Sequence, residues 1–239
     1  MYTRKYRIER FDADKQGRLS VPTLFSYLND IMERNAESYG MGASYHLERD
    51  LAWVLVEYQI DIASLPEAGT HVEVGTLPYS FKKIYGYRIY GVNDDHGVRL
   101  MEGKGKFALI NIRTKQFVRP TEDLLEKFTD AHKEPMSIPF ERWKPDTTNK
   151  IHETKRVVSP AHIDVNGHLN NAFYPTYAYE ALSEDILTGF SPNRIYVKYK
   201  KEVFANEMLD IKVYQESDGI SVLLHNGNGI VSEVFFGTK

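Results

Sequence analysis

Apolar residues recur along the chain with two different periods, and the period assigns most of its length. Between residues 21 and 39, Leu24, Tyr27, Leu28, Ile31 and Met32 fall at the i, i+3, i+4, i+7 spacing of one helix face. Ser20 stands where an N-cap is needed, and Pro22 lies in the first turn, where a missing N–H does no harm. A second helix is expected over 170–187, capped by Asn170 or Asn171, with Phe173, Tyr177 and Ala181 as its buried stripe. Elsewhere the pattern reads as strand: 3–8, 52–62, 71–75, 83–92, 98–111, 153–158, 194–204, 209–215, 221–225 and 229–235. Asn93-Asp94-Asp95-His96-Gly97, Asp218-Gly219 and Asn226-Gly227-Asn228-Gly229 separate several of these as turns. Pro135, Pro139 and Pro145 stand amid charged residues and mark 131–150 as a linker.

The same order of elements occurs twice. Asp14-Lys15-Gln16-Gly17-Arg18-Leu19-Ser20 precedes the first helix, and Asp164-Val165-Asn166-Gly167-His168-Leu169-Asn170 precedes the second. Downstream, Val56-Glu57-Tyr58-Gln59-Ile60-Asp61 parallels Val197-Lys198-Tyr199-Lys200-Lys201-Glu202. Each half therefore reads as one strand, a long helix and an antiparallel run of strands. A long helix must bury its stripe, and wrapping the sheet around it does so. Two such units side by side extend one sheet and hide two strand edges. The expectation is an α+β double hotdog: a unit over 1–130, a linker over 131–150 and a second unit over 151–239.

Composition narrows the chemistry. The 16 Tyr and 12 Phe among 239 residues suit pleated, half-buried faces. A net charge of −3 offers no global field to attract nucleic acid. There is no cysteine, which excludes disulfides, thiolate metal sites and a Cys nucleophile together. The first ten residues lack an apolar signal core. No stretch approaches the ~18 apolar residues that would span a bilayer, so a cytoplasmic location without a membrane span is the expectation.

Asp164-Val165-Asn166-Gly167-His168-Leu169-Asn170-Asn171 is the densest polar cluster. In the bland reading it is a good turn with a good helix cap. Three reactive side chains at alternating positions before a buried helix weigh against that, and Gly167 would let the backbone approach a ligand. Asp-x-Asn-x-His-x-Asn-Asn ahead of a helix resembles the signature of plant and bacterial acyl-acyl-carrier-protein thioesterases. The segment from Val197 to Glu202 resembles that family's strand ending in an acid, and Trp53-Val54-Leu55-Val56 fits its N-terminal half. The matching order of elements runs from Tyr6 to Phe236.

The resemblance implies hydrolysis of fatty acyl thioesters on acyl carrier protein, with catalytic roles for Asp164, Asn166, His168 and Glu202. The plant enzymes carry a Cys directly after the acid, where this chain has Val203, so a thiolate nucleophile is impossible here. Water activated by a carboxylate is the economical alternative, and a transient anhydride stays open. Glu202 or Asp164 would take the proton, while Asn166 and His168 hold the carbonyl or the water. A backbone N–H at the start of the second helix would be a further oxyanion donor. Strand parity places Glu202 on the side of Lys198 and Lys200. Its counterpart Asp61 is expected to be structural or exposed.

Gln16 and Arg18 replace Asn166 and His168 in the first copy. That copy is expected to shape an acyl pocket rather than react, with Trp53 and Tyr27 as candidate lining. Basic positions, among them Lys82, Arg88, Lys104, Lys115 and Lys200, are candidates for docking an acidic carrier protein. His46, His71, His96 and His225 lack metal-ligand spacing, and no cofactor is implied. An acyl-CoA thioesterase of the same fold and a non-catalytic acyl-binding module are the alternatives, with a hotdog dehydratase behind them. A homodimer is compatible with the pattern, which leaves oligomeric state and chain length open.

Overall fold

The computed structural model describes residues 1–132, 134 and 137–238. Pro135 of the expected linker lies outside the described residues. The first half contains β1 (Tyr2–Arg7), α1 (Val21–Ser38), α2 (Ala43–Leu47), β2 (Leu51–Ile62), β3 (His71–Lys82), β4 (Tyr85–Asp94), β5 (Arg99–Asn111) and α3 (Glu122–Glu126). The second contains β6 (Lys150–Val157), α4 (Phe173–Glu180), α5 (Glu184–Leu187), β7 (Arg194–Tyr199), β8 (Met208–Glu216), β9 (Gly219–Asn226) and β10 (Gly229–Gly237).

All ten strands join one antiparallel sheet in the order β1-β3-β4-β5-β2-β7-β10-β9-β8-β6. Reading outward from the β2–β7 seam, each half has the same strand order. In the register of that seam, Glu57 stands opposite Lys198. These two are also equivalent positions in the repeat, so a pseudo-two-fold axis passes between them. Each sheet half curls around its own helix, which is the double hotdog.

Helix α1 begins at the expected cap: Ser20 Oγ accepts from Thr23 N at 3.3 Å. Its buried face is Val21, Leu24, Phe25, Leu28, Ile31 and Asn35. Tyr27 and Met32 flank that face half-buried. The second helix is shorter than 170–187. Asn170 Oδ1 accepts from Ala172 N at 3.0 Å, and α4 starts only at Phe173. It stops at Glu180, because Ser183 is extended (φ −66, ψ 160) and starts the separate helix α5. A continuous core runs beneath both helices, from Ile8 and Phe25 to Tyr177 and Phe236.

Two strands depart most from their expected ends. Strand β3 continues past 75 to Lys82, tolerating Pro78 at a register shift between Pro78 and Ser80. Strand β7 stops at Tyr199 rather than 204. Val231 O accepts from both Lys200 N (2.9 Å) and Lys201 N (3.3 Å), which ends the regular ladder. Val203 O then accepts from Leu169 N at 2.7 Å. The parity argument for Glu202 therefore fails, since the residue lies beyond the strand.

Residues 141–146 run over the outer face of the sheet. Glu141 and Gln59 exchange two hydrogen bonds (2.9 and 2.8 Å), and Tyr196 Oη donates to Glu141 Oε2 at 2.6 Å. Trp143 packs on Phe235 with ring centroids 5.4 Å apart. The segment thus ties β2 to β7 across the seam.

Candidate active site

The turn before α4 is built by Asp164. Its Oδ1 accepts from Asn166 N at 2.8 Å and from His168 N at 3.3 Å, while Asp164 N donates to His168 O at 2.8 Å. Gly167 closes the turn at φ +83, a conformation that suits glycine. The first copy repeats these bonds: Asp14 Oδ1 accepts from Gln16 N at 2.9 Å and Arg18 N at 3.0 Å, and Gly17 has φ +78. In both copies the aspartate is a tie for the turn.

The side chains then diverge. His168 Nε2 lies 3.3 Å from Glu202 Oε2, and the imidazole meets the Phe204 ring edge-on at 5.1 Å. The Leu169–Val203 backbone bond causes this meeting, by docking the acid-bearing segment against the turn. Tyr174 Oη adds a bond to Lys201 O (3.2 Å), and Tyr199 Oη one to Asn171 O (3.1 Å). The other oxygen of Glu202 faces Lys115 Nζ at 3.3 Å. Asn166 Nδ2 reaches Asp164 Oδ2 at 3.5 Å, the limit of a hydrogen bond. Two side-chain pairs result, His168 with Glu202 and Asn166 with Asp164, joined through the backbone of the turn.

In the first copy Arg18 folds onto Asp14 (3.4 Å) and donates to Phe190 O (2.8 Å), and Gln16 Nε2 donates to Leu187 O (3.1 Å). Asp61 remains inside β2, opposite Glu102 and Arg194. Among the described residues no acid from a distant segment meets Arg18 as Glu202 meets His168; this copy is an interlock between the halves.

A cavity of about 400 Å³ opens beside the second turn, walled mostly by the N-terminal half. Met32, Met41, Trp53, Phe81, Phe107 and Phe128 supply apolar surface, and Val165 and Asn166 close it from the other half. Trp53 therefore lines it. Tyr27 does not: it stacks on Tyr6 at 4.3 Å and donates to Asp12 Oδ2 at 3.0 Å. A second depression of about 420 Å³, between Ile62 and Phe190, contains none of the four polar residues. Among the described residues no group of three or more His, Asp or Glu is arranged to hold a metal ion.

Of two basic docking candidates near the site, Arg88 is misplaced and Lys115 stays exposed. Arg88, a docking candidate, is 7% exposed and lies in the cavity wall, because β4 turns it inward under α1. Lys115, another, sits on Glu202. Neither placement has a local sequence signal, since each depends on a contact between distant elements. The N–H groups of Ala172 and Phe173, expected near the oxyanion, are used by Asn170 Oδ1 and Asn170 O.

Comparison with known proteins gives a consistent result. Family models described as the acyl-ACP thioesterase N-terminal and C-terminal domains match residues 1–128 and 144–232. The chloroplastic oleoyl-acyl carrier protein thioesterase 1 of Arabidopsis thaliana is 19% identical over 229 residues, covering 87% of this chain and 62% of the plant protein. A chloroplastic acyl-acyl-carrier-protein hydrolase of Cuphea viscosissima is 23% identical over 220 residues, covering 86% and 52% respectively. The chain thus spans less than two thirds of these relatives' length. An acyl-ACP thioesterase from Bacteroides thetaiotaomicron superposes with TM-score 0.86 at 19% identity, covering 99% of this chain and 97% of that one. The 12:0-ACP thioesterase from Umbellularia californica gives 0.87 at 17%, covering 99% and 96%.

Proposed function

Because the chain belongs to the acyl-ACP thioesterase family, we propose that it hydrolyses fatty acyl-acyl-carrier-protein thioesters to the free acid and the carrier thiol. The observation that carries this reading is the His168–Glu202 pair, 3.3 Å apart, beside the turn whose Val165 and Asn166 close a mostly apolar cavity that neither member of the pair lines. A fatty acyl chain would lie in the N-terminal half, over 1–130, with Trp53 against it, and the thioester at Asn166 in the half over 151–239. The segment over 131–150 would be the connection between them.

Asp164 Oδ1 is held by two backbone N–H groups of its own turn, whereas Glu202 meets only the side chains of His168 and Lys115, so Glu202 takes the proton from water. The resulting hydroxide adds to the thioester carbon. Asn166 Nδ2, which is only weakly held, donates to the developing oxyanion. The C–S bond breaks and the thiolate leaves with the proton returned through Glu202 and His168. The chemistry does not depend on the carrier, so an acyl-CoA assay belongs beside the carrier-protein assay. The test is release of free acid from a panel of acyl-carrier thioesters by the wild type and by His168→Ala. Release by the wild type, lost in a folded variant, supports the proposal; equal release by both removes His168 from the chemistry, and no release by the wild type ends the proposal.

A further inference from the structure

The cavity that would take the acyl chain is not wholly apolar. Arg88 forms part of its wall and is only 7% exposed. Among the described residues its hydrogen bonds all leave from Nη1: to Asn35 Oδ1 at 2.7 Å and to Thr76 Oγ1 at 3.2 Å. Both partners are neutral. Glu33 and Glu37 line the same cavity, yet among the described residues neither forms an ion pair with Arg88. A guanidinium stays charged in proteins, and a buried charge without a counter-ion is costly.

The position of this charge is also informative. Asn29 Nδ2 touches Asn170 Oδ1 at 3.2 Å, which fixes where α1 passes the catalytic turn. Asn35, which holds Arg88, is six residues further along α1, about 9 Å at the helical rise. The guanidinium therefore lies away from the turn, in the part of the cavity that the remote end of an acyl chain would reach. A hydrocarbon chain there would bury against a cation and offer it nothing. An oxygen acceptor on that part of the chain would meet the unused side of a planar fork built to receive a carboxylate.

We propose that Arg88 is a specificity-determining residue selecting acyl groups whose remote end carries an oxygen, most strongly a carboxylate, over saturated chains of equal length. The inference rests on the cavity being the acyl site, as proposed above. Binding of product acids tests it without turnover. The probes are octanoic, decanoic and dodecanoic acid, their ω-hydroxy forms and the matching dicarboxylic acids, measured by calorimetry on the wild type, Arg88→Met and Arg88→Lys.

In the wild type the oxygenated acid should bind about tenfold tighter than the saturated acid at the best length, as expected for one charge-assisted hydrogen bond. Arg88→Met should abolish the preference, and Arg88→Lys should retain part of it. Equal or tighter binding of the saturated acid by the wild type overturns the inference, as does binding of none of the acids. A preference unchanged in Arg88→Met overturns it too. Should the acids bind with the expected preference while no thioester is hydrolysed, hydrolysis fails and the polar-end selection stands. Should thioesters be hydrolysed with saturated chains preferred, hydrolysis stands and the polar-end selection fails.

Discussion

Lys115 Nζ reaches both oxygens of Glu202, Oε1 at 3.3 Å and Oε2 at 3.5 Å, and His168 Nε2 meets Oε2 at 3.3 Å. If Glu202 is the base, Glu202→Gln removes proton acceptance while keeping the shape, and turnover should fall by about 100-fold or more. Lys115→Met removes only an exposed cation that steadies the carboxylate, and a loss of several-fold is expected. A Gln variant with wild-type turnover would exclude Glu202. A different residue offers a test of electrostatics in the fold. Burial alone would raise the Asp30 carboxyl, but hydrogen bonds from Tyr6 Oη (2.5 Å) and Arg34 Nε (2.9 Å) outweigh it and hold the carboxyl below its ordinary value. A depressed carboxyl adds stability at neutral pH that is lost as pH falls through its folded value. Tyr6→Phe should therefore cost about 1 kcal/mol at neutral pH, with the difference shrinking below the carboxylate range. Melting curves of both proteins from neutral to acid pH check this, and a gap independent of pH would assign the loss to packing against Tyr27 instead.

At the scale of elements, the two turns form a natural control for one another. Gly17 and Gly167 sit at φ +78 and +83 with no atom within 4 Å of an added Cβ. Alanine at either should cost about 1–2 kcal/mol from backbone conformation alone. Asp14→Asn and Asp164→Asn weaken equivalent backbone ties and should each cost roughly 0.5–2 kcal/mol. Only Asp164→Asn should also cut turnover sharply, because only its turn presents Asn166 and His168. Thermal melts paired with turnover at equal folded fraction measure both effects, and equal activity losses would mean that both copies react. The repeat was legible because Asp, Gly and Leu at fixed offsets specify the same hydrogen bonds twice, and α1 because its cap and period agree. Other features were not legible. The end of β7 is set by Leu169 N taking Val203 O, a contact between segments over 30 residues apart. The early stop of α4 rests on the extended Ser183, which helical periodicity across 170–187 conceals. His168 was identifiable from its polar cluster and Glu202 only through the family resemblance, but their pairing is made by that same long-range bond.

Across the whole molecule, the turn of one half closes the cavity of the other. The pseudo-two-fold at Glu57 and Lys198 would permit two equivalent sites, yet the copies have diverged. The first turn is locked onto α5 and the residues that follow it by Arg18, Gln16 and Lys15, the last bonded to Glu184 at 3.5 Å. The second turn is left facing an open cavity. The cavity itself could not be read from sequence, because it is what remains between packed side chains of α1, β2, β4 and β5. The two tryptophans happen to report on opposite faces of this arrangement. Trp53 lines the cavity beside Phe81, with centroids 5.6 Å apart. Trp143 lies on the outer face, 5.0 Å from Lys198 Nζ and packed on Phe235. An acid entering the cavity should replace water around the Trp53 indole and shift its emission to shorter wavelength, leaving Trp143 unaffected. Trp143→Phe should therefore keep the whole ligand-induced change and Trp53→Phe should abolish it, with each variant titrated with the tightest-binding acid. If the change instead follows Trp143, the ligand is bound on the outer face of the sheet, and the division of labour between the halves is wrong.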